Sequence, residues 1–141
     1  MMFKMQPKTP LLTVDIVIKT KDDKIVFIKR LNPPFKGFYA LPGGFVEYGE
    51  KVEDAAIREA KEETGLEIED LKLIGVYSDP NRDPRGHVVS IAFLAKEKSG
   101  VLKASSDAKE VIALRGSPEN LAFDHALILN DAMKIIKKEN Y

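Results

Sequence analysis

The chain has 141 residues, of which 44% are hydrophobic and 31% are charged, and its 22 basic residues balance its 22 acidic residues. This composition predicts one domain over residues 1–141 with enough apolar material for a core, and the balanced charge excludes a global field that would draw the chain to nucleic acid or to an anionic membrane. The absence of cysteine excludes disulfides, a thiolate nucleophile and cysteine metal sites, and without a signal-like or membrane-spanning apolar segment we expect a cytoplasmic protein.

The first half of the chain predicts a β-hairpin, an irregular loop and a helix. The β-branched segments LLTVDIVIKT and KIVFIKR, joined by the polar KDDK, are typical of two paired strands. The segment LNPPFKGFYALPGGFVEYGE is rich in proline, glycine and aromatic residues, and functional loops are commonly built this way. VEDAAIREAKEETG predicts a helix that opens with Glu53 and Asp54 and stops at Gly65.

The second half predicts three further strands and a second helix. The strands are LKLIGVYS, HVVSIAFLAKEK and a shorter one near EVIAL, and the loop DPNRDPRG separates the first two. In FDHALILNDAMKIIKKE, the spacing of Ala126, Leu129, Met133 and Ile136 predicts an amphipathic helix. The order β-β-loop-α-β-β-β-α favours an α+β or α/β/α sandwich over a regular βαβ winding.

The first predicted helix carries three acidic residues on one face, Glu59, Glu62 and Glu63. These like charges repel, and the dipole at the end of the helix disfavours the last two by roughly 0.3–1 kcal/mol each. The same face carries small apolar residues that allow close packing on a sheet, so we expect the acids in a semi-enclosed space: Val52, Ala55, Ala56 and Ala60. Acids in such a space take up protons or bind a divalent cation, and oxygen-only ligands favour Mg²⁺ or Mn²⁺.

A solvated surface helix is the simpler interpretation of these acids. Such a helix would place lysines four residues after its acids, but Glu63 follows Glu59 at that spacing, and Glu67 follows Glu63. Arg58 and Glu62 do have this spacing. We therefore expect Arg58 to orient a glutamate toward a metal ion rather than to belong to a solvated face.

From Gly44 the chain reads glycine, five residues, Glu50, seven residues and then REAKEETGL. This pattern resembles the box of the Nudix hydrolases, G-x5-E-x7-R-E-U-x-E-E-x-G-U, over residues 44–66, with Ala60 smaller than the aliphatic residue usual there. The resemblance implies an α+β fold, the Nudix-type α/β/α sandwich with a mixed central β-sheet, in which the box is a loop, a helix and a loop. It also implies hydrolysis of a nucleoside diphosphate linked to another group.

The resemblance further implies the roles of single residues. The implied metal ligands, for Mg²⁺ or alternatively Mn²⁺, are Glu59, Glu62, Glu63 and the backbone carbonyl of Gly43. Glu50 fits a supporting position that pairs with Arg58. The general base stays open between Glu62 and an acid on a later loop, where Asp107 and Glu110 are candidates and ordinary loop charge is the alternative.

Phosphate recognition is expected from residues outside the box. Pro80 and the later LAFDHALIL resemble the ADP-ribose pyrophosphatase subgroup of the family. Arg82 and Arg85 lie on a proline-stiffened loop, and planar guanidinium groups suit the two phosphates of such a ligand. Solvent-facing loop arginines are the alternative interpretation. Arg30, at the end of a predicted strand, is a further phosphate candidate.

Recognition of the base is expected from aromatic side chains in the proline- and glycine-rich segment. Phe35, Phe38 and Tyr39 are candidates for stacking on adenine, with ordinary core packing as the alternative. His87 and His125 have no nearby metal-ligating residues in the sequence, so structural roles are expected for both.

These observations together predict a Mg²⁺-dependent ADP-ribose pyrophosphatase that forms AMP and ribose 5-phosphate. Two alternatives stay open. One is a pyrophosphohydrolase of oxidised or noncanonical nucleoside triphosphates, and the other is a sensor domain that binds ADP-ribose without cleaving it. The subgroup resemblance also implies a homodimer, with a small-molecule nucleoside diphosphate as the ligand. The balanced charge gives the expectation that neither nucleic acid nor membrane is a partner.

Overall fold

The computed structural model describes residues 8–104 and 109–141, which contain seven strands and two helices. In chain order the elements are β1 (Leu11–Lys19), β2 (Ile25–Arg30), β3 (Tyr39–Ala40), β4 (Gly43–Phe45), α1 (Val52–Thr64), β5 (Leu66–Tyr77), β6 (Val88–Gly100), β7 (Lys109–Leu114) and α2 (His125–Glu139). The predicted order is confirmed, with β3 and β4 as short additions inside the segment predicted to be irregular. Within the described ranges, neither helix has the length and hydropathy that a membrane span requires.

The sheet is mixed, with the strand order β3-β2-β1-β6-β5, while β4 pairs with β1 and β7 pairs with β2. β1 and β6 are parallel along the whole of β1, and the other pairs are antiparallel. The predicted hairpin is only partly correct. β1 and β2 pair next to the turn, where Lys19 lies opposite Ile25. Farther from the turn, Thr13, Val14 and Asp15 pair with β4 instead.

The two faces of the sheet carry separate cores, as alternation along β1 requires. Ile16 and Ile18 pack under α1, whose buried residues are mostly alanines, whereas Val17 packs under α2 with Phe27 and Leu94. One helix on each face makes the α/β/α sandwich that was expected. Asp15 lies on the same face of β1 as Val17, so this carboxylate lies on the α2 side of the sheet.

The amphipathic helix predicted for this segment is confirmed, but two of the four residues named for its apolar stripe are exposed. The buried side chains of this helix are His125, Ile128, Leu129 and Ala132. Ala126 and Met133 of the predicted set are exposed, whereas Leu129 is buried and Ile136 packs, partly buried, against the core. The observed positions still follow helical spacing, with a polar histidine at the start that hydropathy alone would not include.

α1 ends at Gly65, whose φ of +79° places it in the left-handed region, and its N–H donates to the carbonyl of Lys61. A Cβ at this position would lie 2.3 Å from the carbonyl oxygen of Val101. Gly65 is therefore needed both for its conformation and for the close approach of the chain after β6.

Replacing Gly65 by alanine should lower the free energy of unfolding by about 2–4 kcal/mol, because the left-handed conformation and the clash with a backbone carbonyl both oppose the new Cβ. Gly49→Ala is the matched control, since Gly49 has a φ of +84° but nothing lies within 4 Å of its Cβ position. Its cost should be about 1 kcal/mol. Urea unfolding of both variants measures the difference, and equal losses would contradict the proposed clash.

Candidate active site

An open pocket of about 430 Å³ lies where α1, the β4 turn, the ends of β1 and β2, the loop before β6 and the start of α2 meet. Its walls are formed by Thr13, Asp15, Ile28, Arg30, Ala40, Leu41, Gly43, Gly44, Phe45, Glu47, Arg58, Glu59, Glu63, Arg82, Asp83, Arg85, Val88, Phe123 and His125. Two of the five acidic side chains on the described wall come from α1 and two of its four arginines come from the loop before β6, while the others come from β1, β2, α1 and the loops. The pocket therefore carries both signs of charge, as a site for a metal ion and a phosphate ester would.

The acidic wall depends on close packing between α1 and the glycine turn. Ala55, Ala56 and Ala60 are completely buried, which brings the helix close to the sheet as predicted. A Cβ at Gly44 would lie 2.4–2.6 Å from the carboxylate of Glu59, so this carboxylate rests directly on the turn. Burial raises the pKa of Glu59, and this effect outweighs the opposing hydrogen bond from Arg58.

Arg58 connects the acids of this region. Its Nε and Nη2 donate to the two carboxylate oxygens of Glu50, at 2.8 and 2.9 Å, and its Nη1 donates to Oε1 of Glu59 at 2.7 Å. The predicted pair between Glu50 and Arg58 is thus confirmed. The hydrogen bonds from Arg58 lower the pKa of Glu50 to about 2, so this carboxylate is ionised at any ordinary pH.

Three of the four predicted metal-binding groups line the pocket, namely Gly43, Glu59 and Glu63. Glu62 is not on the pocket wall; its side chain is 57% exposed and contacts Nη1 of Arg58 at 3.3 Å. Among residues 8–104 and 109–141, no three His, Cys, Asp or Glu side chains form a group that could hold a metal ion. The carboxylate and carbonyl oxygens on the wall fit a hard divalent cation in kind, although they do not form a complete ligand cluster.

Arg82 and Arg85 both line the pocket, but their guanidinium groups have different surroundings. The side chain of Arg82 is 4% exposed, and its Nε and Nη2 donate to the carboxylate of Asp124 at 2.9 and 2.7 Å. Arg85 is 50% exposed and pairs with the buried Asp83. Arg82 thus attaches the loop to the start of α2, whereas Arg85 is the more exposed of the two. Arg30 is partly exposed and lines the same pocket.

Asp15 and His125 also line the pocket, and neither was predicted to be there. Asp15 accepts a hydrogen bond from Ser90 at 2.5 Å and lies 3.5 Å from Nε2 of His125. Nδ1 of His125 accepts from the N–H of Leu41, and burial lowers the pKa of this histidine, which is neutral at pH 7. The structural role expected for His125 agrees with these bonds. A single charge inside the apolar LLTVDIVI was the signal that could have identified Asp15.

Several predicted site residues lie away from the pocket wall. Tyr39 packs against the core under α2, and Phe35 packs edge-on against Phe38 and Phe123. Glu110 lies on β7 opposite Lys29 and is exposed. The structure thus does not bring Tyr39, Phe35 or Glu110 to this pocket, because pairing and packing hold them elsewhere. Asp107 lies outside the described residues. The aromatic residues on the described wall are Phe45 and Phe123, which the sequence analysis did not select.

Comparison with known proteins identifies the family. The model of the NUDIX domain matches residues 9–135. The chain is 56% identical over 127 residues to an ADP-ribose pyrophosphatase of Methanocaldococcus jannaschii, an alignment that covers 89% of this chain and 74% of that protein. It is 33% identical over 133 residues to the ADPR responsive transcriptional repressor NtrR of Acinetobacter baylyi, which covers 88% of this chain and 53% of the repressor.

A solved structure agrees with the observed fold. The NUDIX domain of Shewanella oneidensis NrtR, in its cocrystal structure with ADP ribose, superposes with a TM-score of 0.81 at 27% identity and covers 94% of each chain. Both this likeness and the observed mixed sheet between two helices agree with the sandwich expected from the sequence. The chain belongs to the Nudix domain family and is a Nudix hydrolase.

Proposed function

We propose that this chain hydrolyses the pyrophosphate bond of ADP-ribose and releases AMP and ribose 5-phosphate. The observation that carries the proposal is the 56% identity to a protein named ADP-ribose pyrophosphatase, over most of both chains. The pocket supports it, because acids on α1 and arginines near β6 line one space. A diphosphate bound in this space would be within reach of both arginine cations and carboxylate oxygens that suit a metal ion.

Nudix hydrolases generally use divalent metal ions, and we propose Mg²⁺ here, with Mn²⁺ as the alternative. Glu59, Glu63 and the carbonyl of Gly43 would hold the ion, and Glu62 would join them by a change of side-chain conformation. When bound, a divalent ion neutralises phosphate charge and acidifies the attacking water. Arg58 keeps a carboxylate oxygen of Glu59 fixed by its hydrogen bond, and the pair with Glu50 holds Arg58 in place.

Two parts of the proposal concern the oligomeric state of the protein and its location in the cell. The family resemblance suggests a homodimer, and light scattering that gave the mass of one chain would contradict it. The cytoplasmic location is proposed from the composition of the sequence, and fractionation of cells expressing the tagged chain would test it.

A sensor that binds ADP-ribose without cleaving it is the second candidate. The observation that favours it is the 33% identity to the ADPR responsive repressor, of which the chain spans about half. The same pocket would serve both functions. Formation of product separates them, because a sensor binds the ligand and leaves it intact.

A substrate panel tests the function directly. With Mg²⁺ in excess, kcat/KM for ADP-ribose should exceed those for NADH, diadenosine polyphosphates and 8-oxo-dGTP by roughly tenfold or more, since polar groups in a site discriminate strongly between ligands. Chromatography should show AMP and ribose 5-phosphate in equal amounts. A higher kcat/KM for 8-oxo-dGTP would favour the nucleoside triphosphate alternative, and binding without products would favour the sensor.

Glu59→Gln and Glu63→Gln should each lower kcat/KM by more than about 100-fold, because a neutral amide is a poor ligand for a hard cation. Loss of a group that only supports a metal ligand lowers activity by roughly 10–100-fold, and loss of a ligand itself should cost more. The Mg²⁺ concentration for half-maximal rate should rise in parallel. Glu53→Gln is the matched control on the same helix, since Glu53 is exposed in the first turn and does not line the pocket. Parent-like rates in both variants would refute the assignment of these ligands.

The pair between Glu50 and Arg58 predicts a pH-dependent stability. The pKa of Glu50 is lowered from 4.5 to about 2 in the folded chain, so its ionised form stabilises the fold above pH 4.5 and this contribution is lost as the pH falls toward 2. Glu50→Gln should therefore lower Tm at pH 7, and the gap to the parent should narrow steadily below pH 4.5. Thermal unfolding at pH 7, 5, 4 and 3 measures the gap; a gap that did not change with pH would contradict this origin.

A further inference from the structure

Phe123, the second residue before α2, lies against two arginines from different parts of the chain. The guanidinium carbon of Arg30 is 5.2 Å from the centroid of its ring, and that of Arg85 is 5.4 Å away. Both distances are within the roughly 6 Å at which a cation is attracted to an aromatic face. All three side chains line the same pocket. One ring thus contacts two of the four described arginines that line the pocket.

We propose that Phe123 is a positioning residue for the diphosphate of the substrate, which holds the guanidinium groups of Arg30 and Arg85 close together so that both can bind phosphate oxygens. This inference rests on the proposed function, because it assigns a recognition device within the same pocket. It gives the ring a role different from stacking on a base. Planar guanidinium groups bind phosphate through paired N–H donors, so their relative orientation determines how well they bind.

The two arginines need such a contact because they repel each other. Burial and the charge of Arg85 lower the pKa of Arg30. Nε of Arg30 donates to the carbonyl of Pro34 at 2.7 Å, and among the described residues no carboxylate forms an ion pair with Arg30. Arg85 is held by Asp83 through Nε and Nη2. The charges of Asp83 and Glu63 act on Arg30 in the opposite direction and offset part of this repulsion. The ring adds a further attraction to both cations, and a bound anion would relieve the repulsion more fully.

Phe123 is held rigidly enough to act as this support. Its φ of +55° lies in the left-handed region, which bulky residues rarely adopt and which is concentrated at functional sites. The ring packs at 4.8 Å from Phe35 and at 5.3 Å from His125. The next two residues are fixed by the bonds of Asp124 to Arg82 and of His125 to the N–H of Leu41. Contacts on both the ring and the backbone therefore determine its position.

The surroundings of the ring favour a diphosphate over a base. Two guanidinium groups, Phe35 and His125 already lie around the ring, so a purine stacking on it would compete with these neighbours. The same pocket carries Glu59 and Glu63, which by themselves would repel an anionic ligand. A pair of adjacent cations provides attraction for an anion that binds beside these acids.

The test compares Phe123→Leu, which removes the aromatic face, with Phe123→Tyr, which keeps it. For ADP-ribose at saturating Mg²⁺, Phe123→Leu should raise KM about tenfold with kcat within about threefold of the parent, and Phe123→Tyr should restore a parent-like KM. Tyr141→Leu is the matched control, because it removes another ring that contacts a cation outside the pocket. Nζ of Lys96 lies 4.5 Å from the centroid of the Tyr141 ring, and neither residue lines the pocket. The Tyr141→Leu variant should leave KM unchanged. An unchanged KM in Phe123→Leu overturns the proposal.

A double-mutant cycle adds a measurement that loss of packing alone would not change. If the ring acts through Arg85, the increase in KM caused by Arg85→Ala should be at least about threefold smaller in the Phe123→Leu background than in the parent. Multiplicative effects of the two substitutions would overturn the inference. Should Phe123→Leu fail to fold, Phe123→Met takes its place in the cycle, since methionine fills irregular spaces without an aromatic face.

Binding of inorganic pyrophosphate separates this inference from the proposed function. Calorimetry in a fixed excess of MgCl₂ should show weaker pyrophosphate binding by Phe123→Leu than by the parent or Tyr141→Leu, with similar melting temperatures. If the parent does not cleave ADP-ribose, the proposed function fails, but weaker pyrophosphate binding by Phe123→Leu still supports the role of Phe123. Equal affinity for pyrophosphate in the folded variant and the parent would overturn that role.

Discussion

The site depends on how closely α1 approaches the glycine turn of β4. Three completely buried alanines allow the helix to lie against the sheet. The carboxylate of Glu59 lies so close to Gly44 that any Cβ at position 44 would clash with it. A larger residue at either contact would move the helix outward and carry the acids away from the turn. The packing of the core under α1 therefore sets the position of the charged groups.

This close packing has an electrostatic cost that the chain offsets locally. Glu59, Glu62 and Glu63 lie near the end of α1, where the helix dipole disfavours anions, and burial already raises the pKa of Glu59. Arg58 compensates by bonding to Glu59 while its other nitrogens bond to Glu50. One cation thus contacts Glu50, Glu59 and Glu62 in the folded chain, and the divalent ion that we propose for this site would offset more of the acidic charge.

Features that depend on residues close together in the sequence could be predicted, whereas features that depend on contacts between distant segments could not. The alanine face of α1 and its stop at Gly65 follow from spacing within one short segment, and the family resemblance implied the pair of Glu50 with Arg58. All three are observed. Asp15 reaches the pocket because β1 pairs with both β4 and β6, and no local pattern specifies that pairing. Tyr39 was misplaced because a bridge with Leu121 and core packing determine its side, and the stripe of α2 was partly misplaced because it begins with a buried histidine.

The segment 122–125 shows how a few residues can join several walls of a pocket. Ala122 is buried and its N–H donates to the carbonyl of Tyr39, Asp124 binds Arg82, and His125 accepts from the N–H of Leu41 while lying near Asp15. These bonds attach the segment to β3, to the loop before β6 and to β1. Phe123 lies among these anchors and is held in a strained conformation that an unanchored loop would relax. The rigidity of the arginine side of the pocket therefore originates from the start of α2, just as the rigidity of its acidic side originates from the packing of α1.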